Sequence, residues 1–191
     1  MNLIIHYSKY QINTFIEKLI QLHQLYAQNS YHLDEELETF LKACQTFYKT
    51  TGAVNDELVF NELRSYLITA RKGFDPKTLE KLKTHKRANL QTASFYCLNQ
   101  AGEHLKKAIA AIDQLLDETT ETLYNILLNL VQSEAMSLEQ LYKTDTLEKC
   151  ELLWNQLIHE KQINIIALKF KQKLHLQDIY ILLDKDRKSV V

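Results

Sequence analysis

Residues 161–188 read KQINIIALKFKQKLHLQDIYILLDKDRK, and the fold turns on whether this run is helical or extended. Residues 168–176 alternate apolar and polar side chains, as a half-buried strand would. The alternation fails at Gln172, which falls at the centre of the would-be apolar face, and no turn formers bound the run. On a helical template Ile163, Ile166, Ala167, Phe170 and Leu174 share one side, while Lys169, Lys171 and Gln172 turn outward. A following helix collects Leu176, Ile179, Tyr180, Leu182 and Leu183 and runs out into Asp184, Lys185, Asp186, Arg187 and Lys188. The pattern favours two short amphipathic helices with a tight connection, led into by a helix over residues 146–159.

Composition extends that reading to the whole chain. Three glycines and one proline in 191 residues fall far below the roughly 12% those residues usually contribute together. So few turn formers cannot supply the hairpins of a sheet, and Leu, Lys, Glu, Gln and Ala favour helix. The predicted class is all-α. No run of about 18 apolar residues marks a membrane span, and residues 1–10 carry no basic leader or cleavage site. Cys44, Cys97 and Cys150 are odd in number and widely spaced, as expected of buried, reduced thiols in a cytoplasmic protein.

Helices are expected over residues 10–28 (core side Ile12, Phe15, Leu19, Leu22), from a cap at Asp34 to a stop at Gly52, and from Asn55 to Gly73. Asp75-Pro76 reads as a further helix start, with Leu79 and Leu82 on its core side. Residues 88–117 read as one helix continuous through Gly102, followed by another over 120–135. Ser137 to Gln140 fits a capping box, and Asp145 with Glu148 a weaker one. Two helix starts so close together place a boundary near 136–145. That divides the chain into a helical bundle, residues 1–140, and a small tri-helical, helix-turn-helix-like domain, residues 141–191.

Tests for catalysis find little. The seven histidines are scattered, with no HxxxH or ExxH spacing for a metal, and three distant glycines cannot build a phosphate loop. His23 and His104 fall near helix seams, where a hydrogen-bonded boundary role is the ordinary one. Asp113, Asp117 and Glu121 line a helix face that reads as solvated. No enzyme, metal, cofactor or small-molecule substrate is expected.

Charge points elsewhere. From residue 161 onward seven basic and three acidic residues give +4, and since the chain carries −1 overall, residues 1–160 hold −5. Helix, short turn, helix with a basic exit is how a tri-helical unit presents a helix to a DNA groove. On this reading His175, Gln177, Asp178 and Ile181, with Lys173, approach base edges, and Lys169, Lys171, Lys185, Arg187 and Lys188 hold phosphates. The usual apolar spacing fails, because the position ten beyond Ala167 is Gln177. Double-stranded DNA is the expected partner, with a homodimer left open. A second basic segment, residues 71–87, reads as a solubilising surface or a further phosphate contact.

The same residues carry a family resemblance. Glu151-Leu-Leu-Trp-Asn-Gln-Leu157, the turn Gln162-Ile163-Asn164, the run from Phe170 through Leu174-His-Leu-Gln-Asp-Ile-Tyr180, and Asp186-Arg187-Lys188 stand in order. Together they resemble the carboxy-terminal region of the RteC-type regulators of tetracycline-resistance conjugative elements. Phe47-Tyr48-Lys49 with Asp56-Glu57 and Phe60 is similar to that family's upstream aromatic block. The family's glycine after the turn is missing here, and its longer basic ending is cut off at Val191. The resemblance implies a helical amino-terminal domain, a DNA-binding carboxy-terminal domain and control of mobilisation genes.

The competing expectation is a helical protein-interaction module without nucleic-acid binding, in which the last helices complete the core and their lysines are merely solvated. Removing residues 161–191 is expected to separate the two readings.

Overall fold

The computed structural model describes residues 4–190, with every side chain among them except Tyr142, Gln162 and residues 187–190. The described residues are all-helical: α1 (Ile5–Ala27), α2 (Leu33–Thr51), α3 (Val54–Arg71), α4 (Lys86–Gln132), α5 (Leu138–Lys143), α6 (Leu147–Leu157), α7 (Lys161–Lys173) and α8 (Leu176–Val190). The run with strand-like alternation is helix through Lys173, because its i, i+4 face is the one that finds a core, and it breaks at Leu174 and His175.

Local signals account for several boundaries. Gly52 closes α2 in the left-handed conformation (φ 75°), and its N–H and that of Ala53 satisfy the carbonyls of Lys49 and Tyr48. Ser137 and Gln140 complete the expected capping box at α5. At α6 the cap is Thr146, whose hydroxyl accepts from the Lys149 N–H, rather than the expected Asp145. No side chain caps α2, and Asp34 lies instead in its first turn.

Two expectations are corrected. Asp75-Pro76 opens a turn, not a helix. The Asp75 carboxylate accepts from the N–H groups of Lys77 (2.8 Å) and Thr78 (3.4 Å), and Phe74 and Lys81 form an isolated antiparallel bridge. Asp followed by Pro suits a turn as well as a helix start. The two leucines beyond them cannot sustain a helix, and Leu79 ends up exposed at φ 61°. The second correction joins the helices expected over 88–117 and 120–135 into the 47-residue α4. No glycine or proline stands between the two segments, and the Thr119 hydroxyl donates to the Leu115 carbonyl, keeping within the helix.

The chain divides into two compact units: Tyr10–Ile109, and residues 4–9 joined to 110–190. The divisions fall inside α1 and α4, so the units differ from the expected parting near 136–145. Burial explains this: Leu116, Leu123, Leu127 and Leu130 of α4 share one core cluster with residues of α5 to α8.

The first unit buries Leu19 and Leu22 of α1, Leu37, Phe40 and Leu41 of α2, Phe60, Leu63 and Leu67 of α3, and Ala93, Cys97 and Ala101 of α4. The Tyr48 ring stacks on Phe60 at 5.4 Å, and His104 meets both rings edge-on while its Nε2 lies 2.8 Å from Asp56. Gly102 lies within α4, and a Cβ there would stand 3.1 Å from a Leu19 methyl, so α1 and α4 meet closely at this point. Gly102→Val is therefore expected to destabilise the protein by about 1–3 kcal/mol despite valine's better helix propensity, measured by urea unfolding. Cys44, Cys97 and Cys150 are buried and form no disulfide among the described residues, and burial pushes the Cys97 thiol up to about 12. Among the described residues no helix is long and apolar enough to cross a membrane.

Candidate nucleic-acid interface

Trp154 of α6 is fully buried at the centre of the second unit, stacked on Phe170 of α7 at 6.2 Å. Around it, Ile163, Ala167 and Leu174 from α7 and its end, with Ile179, Leu182 and Leu183 from α8, join the same cluster. The two last helices are thus core elements of this unit.

Their connection is two residues long. Leu174 leaves α7 in extended conformation, its N–H still bound to the Phe170 carbonyl at 2.8 Å. His175 then caps α8, its Nδ1 accepting from the Gln177 N–H at 3.2 Å. Asp178, three residues into the helix, reaches back to accept from the His175 N–H at 3.3 Å. This is the reciprocal logic of a capping box, with histidine in the serine's place.

Asp178 does more than cap. Its side chain is fully buried, and it also accepts from the backbone N–H of Ile5 (2.9 Å) and of His6 (3.2 Å) and contacts His6 Nδ1 at 2.9 Å. One carboxylate therefore ties the first turn of α1 to the first turn of α8. The expectation that Asp178 approaches base edges is corrected. The sequence holds a signal for this: an acid three residues after a capping side chain commonly turns back to the helix start.

The remaining expected contacts are placed as follows. Lys169, Lys171, Lys173, His175, Gln177 and Lys185 are all exposed. Arg187 and Lys188 belong to the α8 backbone, and their side chains lie outside the described residues. Lys169 and Lys173 lie one turn apart on the flank of α7 that faces α4. There, with Glu118, Thr119 and Thr122, they line a cleft of about 160 Å³. Lys171 lies roughly 160° round the helix from Lys169, on the other flank. Between the flanks, the open face of α7 presents Ile165 (54% exposed) and Leu168 (57%). The lysines thus form two edges around a mixed strip that also carries Lys161, Asn164 and Gln172. On α8 the less buried side carries Gln177, Ile181 and Asp184.

Near the far end of α8, Asp186 is 2% exposed, and its Oδ2 has no hydrogen-bond partner among the described residues. Burial raises its carboxyl to about 6, with Lys185 pulling the other way. Burial, with the Glu151 carboxylate, likewise raises the Tyr180 phenol.

In the second basic segment, Arg71 is committed elsewhere: its guanidinium pairs with both Asp34 and Glu38, holding α3 to α2 and the Glu38 carboxyl below its ordinary value. Asp113, on the acidic face of α4, pairs with Lys9 of α1. Among the described residues no group of three or more His, Cys, Asp or Glu is placed to hold a metal. No protein-family model, curated protein or solved structure matches the chain.

Proposed function

We propose that this chain is a DNA-binding transcriptional regulator of the RteC-like kind, acting on genes for excision or transfer of a mobile element. Its contacts are the last turn of α7 and the first turn of α8, with the basic exit beyond. The observation that supports this reading is the two-residue connection at Leu174-His175, which sets Lys171, Lys173 and Gln177 in the open on either side of it. Such an arrangement offers ammonium groups to phosphates and one amide to a base edge, while the buried Asp178 fixes the helix that carries the amide.

Duplex DNA from the gene's own upstream region, titrated across a salt series, tests it. Affinity is expected to fall steeply with salt, because each neutralised phosphate releases counterions. Lys171→Ala and Lys173→Ala are each expected to lower affinity on all sequences alike and to reduce the salt slope by about one. Binding that ignores salt, or no binding, counts against the proposal.

A second reading, a helical protein-interaction module, is favoured by the exposed pair Ile165 and Leu168 on α7 and by Leu152 (63% exposed) on α6. Lysines in the last turn of α7 would then only complement its carbonyl end. Removing residues 161–191 does not separate the readings, since it strips core residues under both. Ile165→Ser with Leu168→Ser does, because it removes the apolar pair without adding charge beside the lysines: it spares DNA binding under the first and abolishes partner binding under the second.

A further inference from the structure

In the first unit, the end of α1, the turn that follows it and the starts of α2 and α4 enclose a cleft of about 230 Å³. Tyr26, Leu33 and Leu90 supply apolar walls, Gln91 and the buried Ser94 add polar groups, and Arg87 also lines it. We propose that this cleft is a binding site for a small, single-ring aromatic carboxylate, with Arg87 as its anion anchor.

Size sets the first limit. A closed apolar cavity of roughly 150 Å³ holds one benzene ring, so this cleft has room for a substituted single ring and is too small to bury a nucleotide. Charge sets the second. The Arg87 guanidinium lies over the Tyr31 ring, 5.1 Å from its centroid, and it takes part in no ion pair or hydrogen bond among the described residues. A cation–π contact spends no N–H hydrogen bond, so the guanidinium keeps the fork of donors that matches a carboxylate. Asp34, the one acid in the lining, is neutralised by Arg71 at 3.0 Å, and the first turn of α4 contains no acid. The local balance therefore favours an anion. The Tyr26 ring, held against Phe95 at 5.4 Å, offers a ring to pack on, and the Gln91 amide is oriented by its hydrogen bond to Asn29 (3.1 Å). Aromatic floor, fixed amide and an unspent guanidinium together select a planar ring bearing a carboxylate.

The site does not depend on the DNA-binding reading. Isothermal titration of the full chain with sodium benzoate, benzyl alcohol and sodium acetate tests it. Saturable binding of benzoate with one site per chain is expected, with benzyl alcohol and acetate each about tenfold weaker or more. Arg87 is exposed, so Arg87→Gln should keep its melting temperature and lose about tenfold or more in benzoate affinity. No saturable benzoate binding overturns the proposal. So does unchanged benzoate affinity in Arg87→Gln, benzyl alcohol binding as tightly as benzoate, or acetate doing so.

Discussion

Replacing Asp178 with alanine should destabilise the unit formed by residues 4–9 and 110–190 by about 2–4 kcal/mol, among the largest single-residue effects expected in this protein. The reason is the number of donors that converge on one buried carboxylate. The N–H groups of Ile5, His6 and His175 and the His6 ring all depend on it. Truncation leaves these part-buried donors without their acceptor; a fully buried unpaired donor costs about 1–3 kcal/mol, and partial access to water reduces that for each. His6→Ala removes one contact of the set and should cost about 1 kcal/mol. Urea unfolding followed by fluorescence provides the measurement, since Trp154 is the one tryptophan and sits fully buried in the same unit. A loss below about 0.5 kcal/mol for Asp178→Ala, the range of an ordinary surface substitution, would mean that the carboxylate does not tie α1 to α8.

Asp186→Asn should act in the opposite direction and with a pH signature. In the unfolded chain this carboxyl titrates at its ordinary value near 3.8, and in the folded chain burial raises it to about 6. The folded state therefore binds the proton more tightly. Below about pH 4 both states are protonated, and the group carries no charge penalty. As pH rises the unfolded chain releases its proton first, stability falls, and above about pH 6 the full cost of a buried carboxylate is present. Asparagine removes that charge at every pH. Its benefit over the parent should thus be near zero at pH 4 and grow to about 1–3 kcal/mol at pH 8. Paired urea titrations at the two pH values decide it. A difference that does not change with pH would show that the carboxylate is adequately solvated or paired in the folded chain.

These two aspartates, eight residues apart on α8, show how far local pattern reaches. Both look like polar helix positions in the sequence, and both are buried. Asp178 is matched by donors arriving from the other end of the chain, whereas Asp186 Oδ2 has no such partner among the described residues. The capping pattern with His175 marks Asp178 as turning back to the helix start, but nothing within four residues of either shows that it is buried or what meets it from α1. The same limit applies to the lysines: their exposure follows from the apolar stripe of α7. Their separation into two edges, one against α4, depends on which helix packs where. The aromatic-walled cleft in the first unit draws on three helices and a turn, and no spacing in the sequence announces it.

Much of what is decided within a turn or two of helix was legible in the sequence alone, though not the caps of α2 and α6. The all-helical class follows from scarce glycine and proline, the left-handed stop at Gly52 and the capping box at Ser137 from local hydrogen bonding, and the helical register of α7 and α8 from their apolar period. Tertiary structure alone decided that α8 is held by α1, whereas the turn at Asp75-Pro76 and the unbroken run of α4 rest on local chemistry that admits more than one outcome. Local rules state which conformations a segment can adopt and which side of it is apolar. Which surface covers that side, and whether a charge meets a partner there, depends on residues far away in sequence, and burial energy resolves it only when they meet.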